Sequence, residues 1–499
     1  MKTMKYIAVM GMAFFLFACK KEVAPPEPKP EPVEDTKEQL IRDSIYYYYN
    51  LYSLWTERVP DHDVLRTFTA NYSSYDAVLT ALKALTPAHP GYRQSGGYID
   101  RFSYYTEISA GGQVSRYGHF RMDNNDGYGL YISFGVTTDT TANPVIHFVE
   151  GGSPAQKAGI KRGHIITALN GDDKLAVKVR EGINEKGEIV YYIDDQAAYT
   201  DVVTKLSNAL ERSALTLTIE TASGSSQDYA LQYTTYAIDP VVADTVYKFP
   251  SKNIGYLAFS SFEEVDNNSP NHQKFEKIFT SFKEGGITEL ILDMRYNTGG
   301  YVSTAEYLAN KIIHPAGDGQ LMFTYEVNDY LTRYKTGRNA EFADVYFSRN
   351  NDLSLQTVYV LVTESTASAA ELLISVLKPY LDVRLIAETN RTYGKPVGFF
   401  EQKVHSTISL WVTSFKTINK DGYTDFWDGM AVDRSNVEDY IFKDFGDPTE
   451  SMIAAALDLA GVRTSSSNKA SINRSATPAR VSKSKLGVVN QVEERNMLK

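Results

Sequence analysis

Apolar positions along the chain fall into three regimes. From Asp35 to about Tyr105 they recur at helical spacing: Leu40, Ile41, Ile45, Tyr48 and Tyr49, then Val78, Leu79, Leu82 and Leu85. From about Ser115 to Tyr236 the chain reads as β-rich, and Leu215–Ile219 alternates apolar with polar, as a half-buried strand does. Beyond Ile238 short apolar runs alternate with helical patterns, the mark of an α/β region with a parallel sheet. Ile254–Phe259, Leu290–Leu292, Thr357–Val362, Val383–Ala387 and Thr407–Val412 read as strands there. Phe275–Phe282, Thr304–Ile313, Ala369–Lys378 and Thr449–Ala460 read as helices. Gly317–Leu355 reads as a polar and aromatic insertion that lines a substrate path.

The two ends differ from this body. Residues 1–18 carry Lys2 and Lys5 before an apolar run, which fits a signal peptide and is too short to span a bilayer. The run ends Leu16-Phe17-Ala18-Cys19, similar to the lipobox of bacterial lipoproteins. Cys19 is the single cysteine, so it reads as a lipidation site rather than a free thiol, and disulfides within the chain are excluded. Residues 19–36 are rich in Pro and Glu and read as a stiff solvated tether. Residues 463–499 are rich in Ser, Lys and Arg and read as a disordered basic tail. A net charge of −10 over 499 residues gives no footprint for nucleic acid.

Three stretches of the α/β region carry candidate chemistry. Ser368 stands where the strand Thr357–Val362 gives way to a helix, at the carboxyl end of a parallel strand. A helix N-terminus favours negative charge. Asp293-Met-Arg-Tyr-Asn-Thr-Gly-Gly300 takes a strand into paired glycines, which can turn backbone N–H groups toward a ligand. Lys395 follows the strand Val383–Ala387, 27 residues past Ser368, and a right-handed crossover puts both on the same sheet edge. A lysine whose ammonium is desolvated can act as base to a serine. Each stretch also has an ordinary reading: Ser368-x-x-Glu371 as a capping box, the glycines as a tight turn, Lys395 as a solvated loop residue.

Order and spacing together resemble the C-terminal processing peptidases, the tail-specific proteases. Asp293–Gly300, Thr366-Ala-Ser-Ala-Ala-Glu371 and Thr392-Tyr-Gly-Lys395 carry the likeness. The resemblance implies a serine endopeptidase with a crotonase-like core, Ser368 as nucleophile and Lys395 as general base. It also implies an oxyanion pocket from the main-chain N–H groups of Gly299 or Gly300 and Ala369. The chain departs from the family at Thr298, where proline is common, and at Pro396, where glycine is common. Phe399 and Phe400 stand where a polar residue orienting the lysine is frequent, so no third catalytic residue is assigned.

Two stretches of the β-rich region resemble a PDZ domain: Gly127-Tyr-Gly-Leu-Tyr-Ile132 and Gly152-Ser-Pro-Ala through Ile166. The likeness implies that Tyr128, Gly129 and Leu130 take a peptide's carboxyl end while the next strand adds the peptide to its edge. The expected fold is thus multidomain α+β and α/β: a helical domain at 37–112, a PDZ-like domain at 113–236 with an insertion at 172–200, and a peptidase core at 237–462. The expected partners are polypeptides with free C-termini, at the bacterial envelope, with a lipid anchor to the membrane and no cofactor or metal. Two other readings stay open. One is a Ser–His enzyme using His405, although no Gly-x-Ser-x-Gly elbow is present and His405 reads as part of a strand. The other is a non-catalytic peptide-binding scaffold.

Overall fold

A computed structural model of the protein describes residues 35–108, 124–183, 189–221, 224–338, 340–462, 485–490 and 497–498. The signal peptide, Cys19, the tether up to residue 34 and most of the basic tail lie outside the described residues. Among the described residues no helix is long and apolar enough to cross a membrane.

A five-stranded sheet organises the α/β region, in the order Val241–Lys248, Asn253–Phe259, Ile287–Asp293, Thr357–Val362, Asp382–Ala387. The first pairing is antiparallel and the other three are parallel. Successive side chains of a strand face opposite ways, so a strand covered on both faces is apolar throughout. Leu290, Leu292, Val358 and Val360 meet helices Pro270–Glu284, Val302–Ile312 and Ala369–Leu377 through Phe275, Phe282, Leu308 and Leu373. Ile254, Ile291, Tyr359 and Leu361 meet Met452, Ile453 and Leu457 of helix Ser451–Leu459 on the other face. The carboxyl ends of Ile287–Asp293, Thr357–Val362 and Asp382–Ala387 therefore open on one edge, where the three candidate stretches begin.

The segment 317–355 is not irregular throughout. Its strand Leu321–Val327 pairs with Phe415–Asn419 in a second sheet, which continues through Val397–Phe399. The N-terminal helices Lys37–Tyr52 and Tyr75–Lys83 pack Ile41, Ile45, Tyr49, Val78 and Leu82 on Val404, Ile408 and Leu410. This region also contributes a strand, Tyr104–Glu107, paired with Ile408–Trp411. Tyr49 donates to Asp100 at 2.6 Å, and Asp100 also accepts from Ser103 and Thr413. The N-terminal helices are thereby locked onto the α/β region.

The β-rich module pairs Leu130–Thr138, Thr141–Val149, Ile165–Leu169, Ala214–Glu220 and Ser226–Gln232 in sequence. Part of the expected insertion forms a hairpin, Val177–Ile183 with Ile189–Ile193. Helix Gln196–Leu210 is a feature the β-rich reading passed over, although Val202, Leu206 and Ala209 have helical spacing and are buried.

The expectation of a disordered tail is corrected at two places. Lys485–Val488 pairs antiparallel with Leu130–Thr138, and Met497–Leu498 pairs parallel with Val397–Phe399. Neither segment has a partner within itself. Each is ordered by adding to the edge of a strand elsewhere, which composition does not reveal.

Candidate active site

Ser368 opens helix Ala369–Leu377 and is fully buried. Its φ of 65° and ψ of −120° are rare for a residue with a side chain, at a cost on the order of 1–3 kcal/mol. The surroundings impose this turn. Thr366 Oγ1 donates to Met294 O at 2.8 Å and Ala367 N–H donates to Asn297 O at 3.2 Å, which ties the serine loop to the glycine loop. Ser368 Oγ is buried without a hydrogen-bond partner.

Gly299 sits directly against it. A Cβ at Gly299 would stand 2.7 Å from Ser368 Cβ, so only glycine fits, and its φ of +112° excludes a side chain independently. Gly300 has a φ of +141°, and a Cβ there would stand 2.3 Å from Phe262 O. The Gly299 N–H is donated to Asn297 Oδ1 at 3.0 Å. Of the main-chain donors proposed for an oxyanion, Gly299 is thus committed elsewhere in this structure.

Lys395 is buried on the neighbouring crossover, with Nζ 5.5 Å from the Phe102 ring and 5.4 Å from the Phe399 ring. Tyr92 donates its hydroxyl to Trp427 O and lies 3.4 Å from Gly394 O. The N-terminal region thus supplies walls of the lysine's surroundings. The loop 428–433 packs here too: Met430 N–H donates to Thr392 Oγ1 at 2.8 Å.

One residue joins serine and lysine, and sequence reasoning had given it only a capping role. Glu371 is fully buried on the first turn of the serine helix. Its Oε2 accepts from Ser368 N–H at 3.0 Å and from Lys395 N–H at 2.8 Å. Its Oε1 accepts from Gly394 N–H at 2.8 Å and from the Thr392 hydroxyl at 2.5 Å. The Ser368 and Lys395 nitrogens are therefore two hydrogen bonds apart through one oxygen. Burial pushes the Glu371 carboxyl up, against the lowering effect of Thr392 and of the Lys395, Gly394 and Ser368 N–H groups. A raised carboxyl contributes stability that is full below its unfolded pKa and is lost as pH rises through its folded pKa.

Asp293 and Arg295 face away from this edge, into a buried ionic cluster. Arg295 makes a bidentate pair with Asp293 at 2.9 and 2.6 Å and reaches Asp439 at 2.8 Å and Glu450 at 3.1 Å. Arg162 of the β-rich module joins the same Asp439 at 2.6 Å and donates to Tyr296 at 2.7 Å. The module is thus fastened to the strand that carries the glycine loop.

The other predicted site residues lie elsewhere. His405 occupies the turn between Glu401–Val404 and Ile408–Trp411, not a strand, and its Nε2 lies 3.2 Å from Ser44 Oγ. In the β-rich module Tyr128 O and Gly129 O accept from Ala155 and Glu150 N–H. Leu130 pairs with Val149.

Residues 253–433 match the family model described as Peptidase family S41. The chain is similar to "Carboxy-terminal processing protease CtpA" of Bacillus subtilis (strain 168), 25% identical over 276 residues, covering 54% of this chain and 48% of the relative. A CtpA-like serine protease of Staphylococcus aureus (strain bovine RF122 / ET3-1) is 23% identical over 272 residues, 54% of this chain and 46% of the relative. The chain spans about half the length of the curated relatives it matches. The crystal structure of an S41 protease from Bacteroides fragilis NCTC 9343 superposes with a TM-score of 0.58 at 22% identity, over 84% of this chain and 97% of that one. That likeness is one of fold, a mixed α/β multidomain architecture.

Proposed function

We propose that the chain is a serine endopeptidase in which Ser368 and Lys395 form a catalytic dyad, a reading supported by the match of residues 253–433 to Peptidase family S41. The observation that carries the reading is the Glu371 carboxylate, which holds the main chain of both residues beside a buried, unpartnered Ser368 hydroxyl. Family and protease relatives support the same chemistry. Ser368 Oγ attacks the scissile carbonyl carbon while the neutral Lys395 amine accepts its proton. Loss of water disfavours an ammonium, and Lys395 is buried. The oxyanion is held by the N–H groups of Gly300 and Ala369, each worth roughly 3–4 kcal/mol. Lysine then gives the proton to the leaving amine, and water releases the acyl group by the reverse path.

In this reading the β-rich module is a PDZ-like domain whose strand Leu130–Thr138 receives the C-terminal part of an unfolded or tagged polypeptide. Cys19 anchors the chain by lipid at the bacterial envelope. A fluorophosphonate probe is the direct test. An adduct mapped to Ser368 by mass spectrometry, and lost in Ser368→Ala, is the expected result. A folded chain that binds C-terminal peptides yet never acquires the adduct would sink the peptidase and leave the scaffold.

Glu371 acts as a positioning residue in this scheme. Glu371→Gln leaves one oxygen and one amide nitrogen where two oxygens each take two donors, so one pair of donors faces an NH₂ group. The expected result is a fall in kcat of about a hundredfold with little change in KM, as displacement of a reacting group by an ångström gives. A loss carried by KM with kcat kept would show that the carboxyl acts in binding rather than in positioning.

A further inference from the structure

Two described parts of the C-terminal tail, 485–490 and 497–498, lie on the path proposed for substrates. Lys485 stands opposite Gly135 and Val488 opposite Ser133, antiparallel to Leu130–Thr138. Val489 N–H donates to Ile132 O at 2.8 Å. The Asn490 side-chain amide then continues the ladder, donating to Leu130 O at 2.8 Å and accepting from Ile132 N–H at 2.9 Å. The segment runs toward the loop that carries Tyr128 and Gly129. Across the groove stands helix Gln196–Leu210: a Cβ at Gly487 would collide with the Tyr199 hydroxyl, and the Tyr199 ring lies 4.9 Å from Phe134. Leu486 and Val489 pack on the module's core. Lys485 Nζ reaches Asp439 Oδ2 at 3.6 Å.

Met497–Leu498 lies at the candidate active site. Met497 and Leu498 pair with Gly398 and Phe399, and both are buried. Leu498 N–H donates to Gly300 O at 3.1 Å, on the residue beside Gly299. The Leu498 side chain enters the apolar cluster that holds Phe102 and Phe399, the two rings next to the Lys395 amine. The groove and the site are thus occupied at once by two described parts of the same tail.

We propose that residues 485–490 and 497–498 act as a resident competitor that holds the substrate path closed until an external polypeptide displaces them, an inference that rests on the peptidase reading. Because the competitor is tethered, its effective concentration is on the order of millimolar, and a free substrate must exceed it in affinity or number. The segment also names the substrate class. Displacing polypeptides enter as an extended strand along Leu130–Thr138, place a glycine against Tyr199, and present an aliphatic or methionine pair to the wall of Phe102 and Phe399.

The test uses full-length chains carrying Gly487→Val or Leu498→Asp. Valine collides with Tyr199, and aspartate places a charge among aromatic rings. Neither position belongs to the catalytic machinery. With the segment docked about nine-tenths of the time, kcat/KM on an unfolded protein should rise about tenfold, chiefly through KM. Amide exchange at Ile132 should quicken in Gly487→Val, and a synthetic peptide of residues 485–499 should restore inhibition to Leu498→Asp. Unchanged rates together with unchanged exchange overturn the proposal. Faster exchange at Ile132 in a chain that cleaves nothing before or after substitution shows the segment docked and rejects the peptidase reading instead.

Discussion

Hydrolysis of an unfolded protein is expected to fall by about a thousandfold or more when either Ser368 or Lys395 is replaced by Ala, with the double variant scarcely worse than either single one. General-base assistance alone accounts for about 10²–10⁴ in rate, and loss of the nucleophile removes the covalent route altogether. Residues that act as a unit are not additive, because each is useless without the other. Lys395→Arg should fail equally, since a guanidinium does not give up its proton at working pH. The substitutions are readable because the two residues are held by main-chain bonds to Glu371, which survive removal of either side chain. Steady-state rates on a denatured, fluorescently labelled protein are the measurement. Undiminished cleavage by Ser368→Ala or by Lys395→Ala would reject the dyad.

Arg295→Met is expected to destabilise the chain by about 3–5 kcal/mol, the range for removing one partner from a buried ionic cluster. Asp293, Asp439 and Glu450 all surround the guanidinium, and none of the contacts is exposed to water. Removing the positive charge leaves three buried carboxyls, with Arg162 and Lys485 still in contact at Asp439. Burial alone would raise the Asp439 carboxyl, but Arg162 and then Arg295 outweigh it and hold it well below the usual carboxylate range. A depressed carboxyl contributes stability that is present above its unfolded pKa and is lost as pH falls through its folded pKa. Acid unfolding of the parent should therefore begin below the ordinary carboxylate range for this group, and that of Arg295→Met at higher pH. Urea unfolding at several pH values measures both. Equal midpoints for parent and variant would show that the cluster adds nothing to stability.

What could be read from sequence was local. The strands and helices around Ser368, Gly299 and Lys395 announce themselves by burial on both faces and by glycine at turns that need positive φ. Adjacent crossovers placed the serine and lysine loops on one edge. What escaped depends on contacts between distant parts of the chain. Ser368-x-x-Glu371 is visible as a capping pattern, but nothing local says that the same carboxylate also takes the Lys395 N–H. Phe102 and Tyr92 come from a region read as helical packing and end beside the lysine. The basic tail looked structureless by composition, yet Leu486-Gly-Val-Val489 is a short apolar run within it, and that run is the part that finds a strand. Arg162 carried no signal at all, because an arginine's partner cannot be read from its neighbours.

The Tyr92 and Phe102 walls beside Lys395 bear on how this protein can be taken apart. Those two aromatic residues precede the stretch 253–433 by more than a hundred positions, while Asp439 and Glu450 follow it. A fragment cut to the matched span would retain Ser368 and Lys395 but expose the amine to solvent and strip Arg295 of two of its three anions. Recombination at those limits, by nature or by cloning, would transplant the signature without the surroundings that give it meaning.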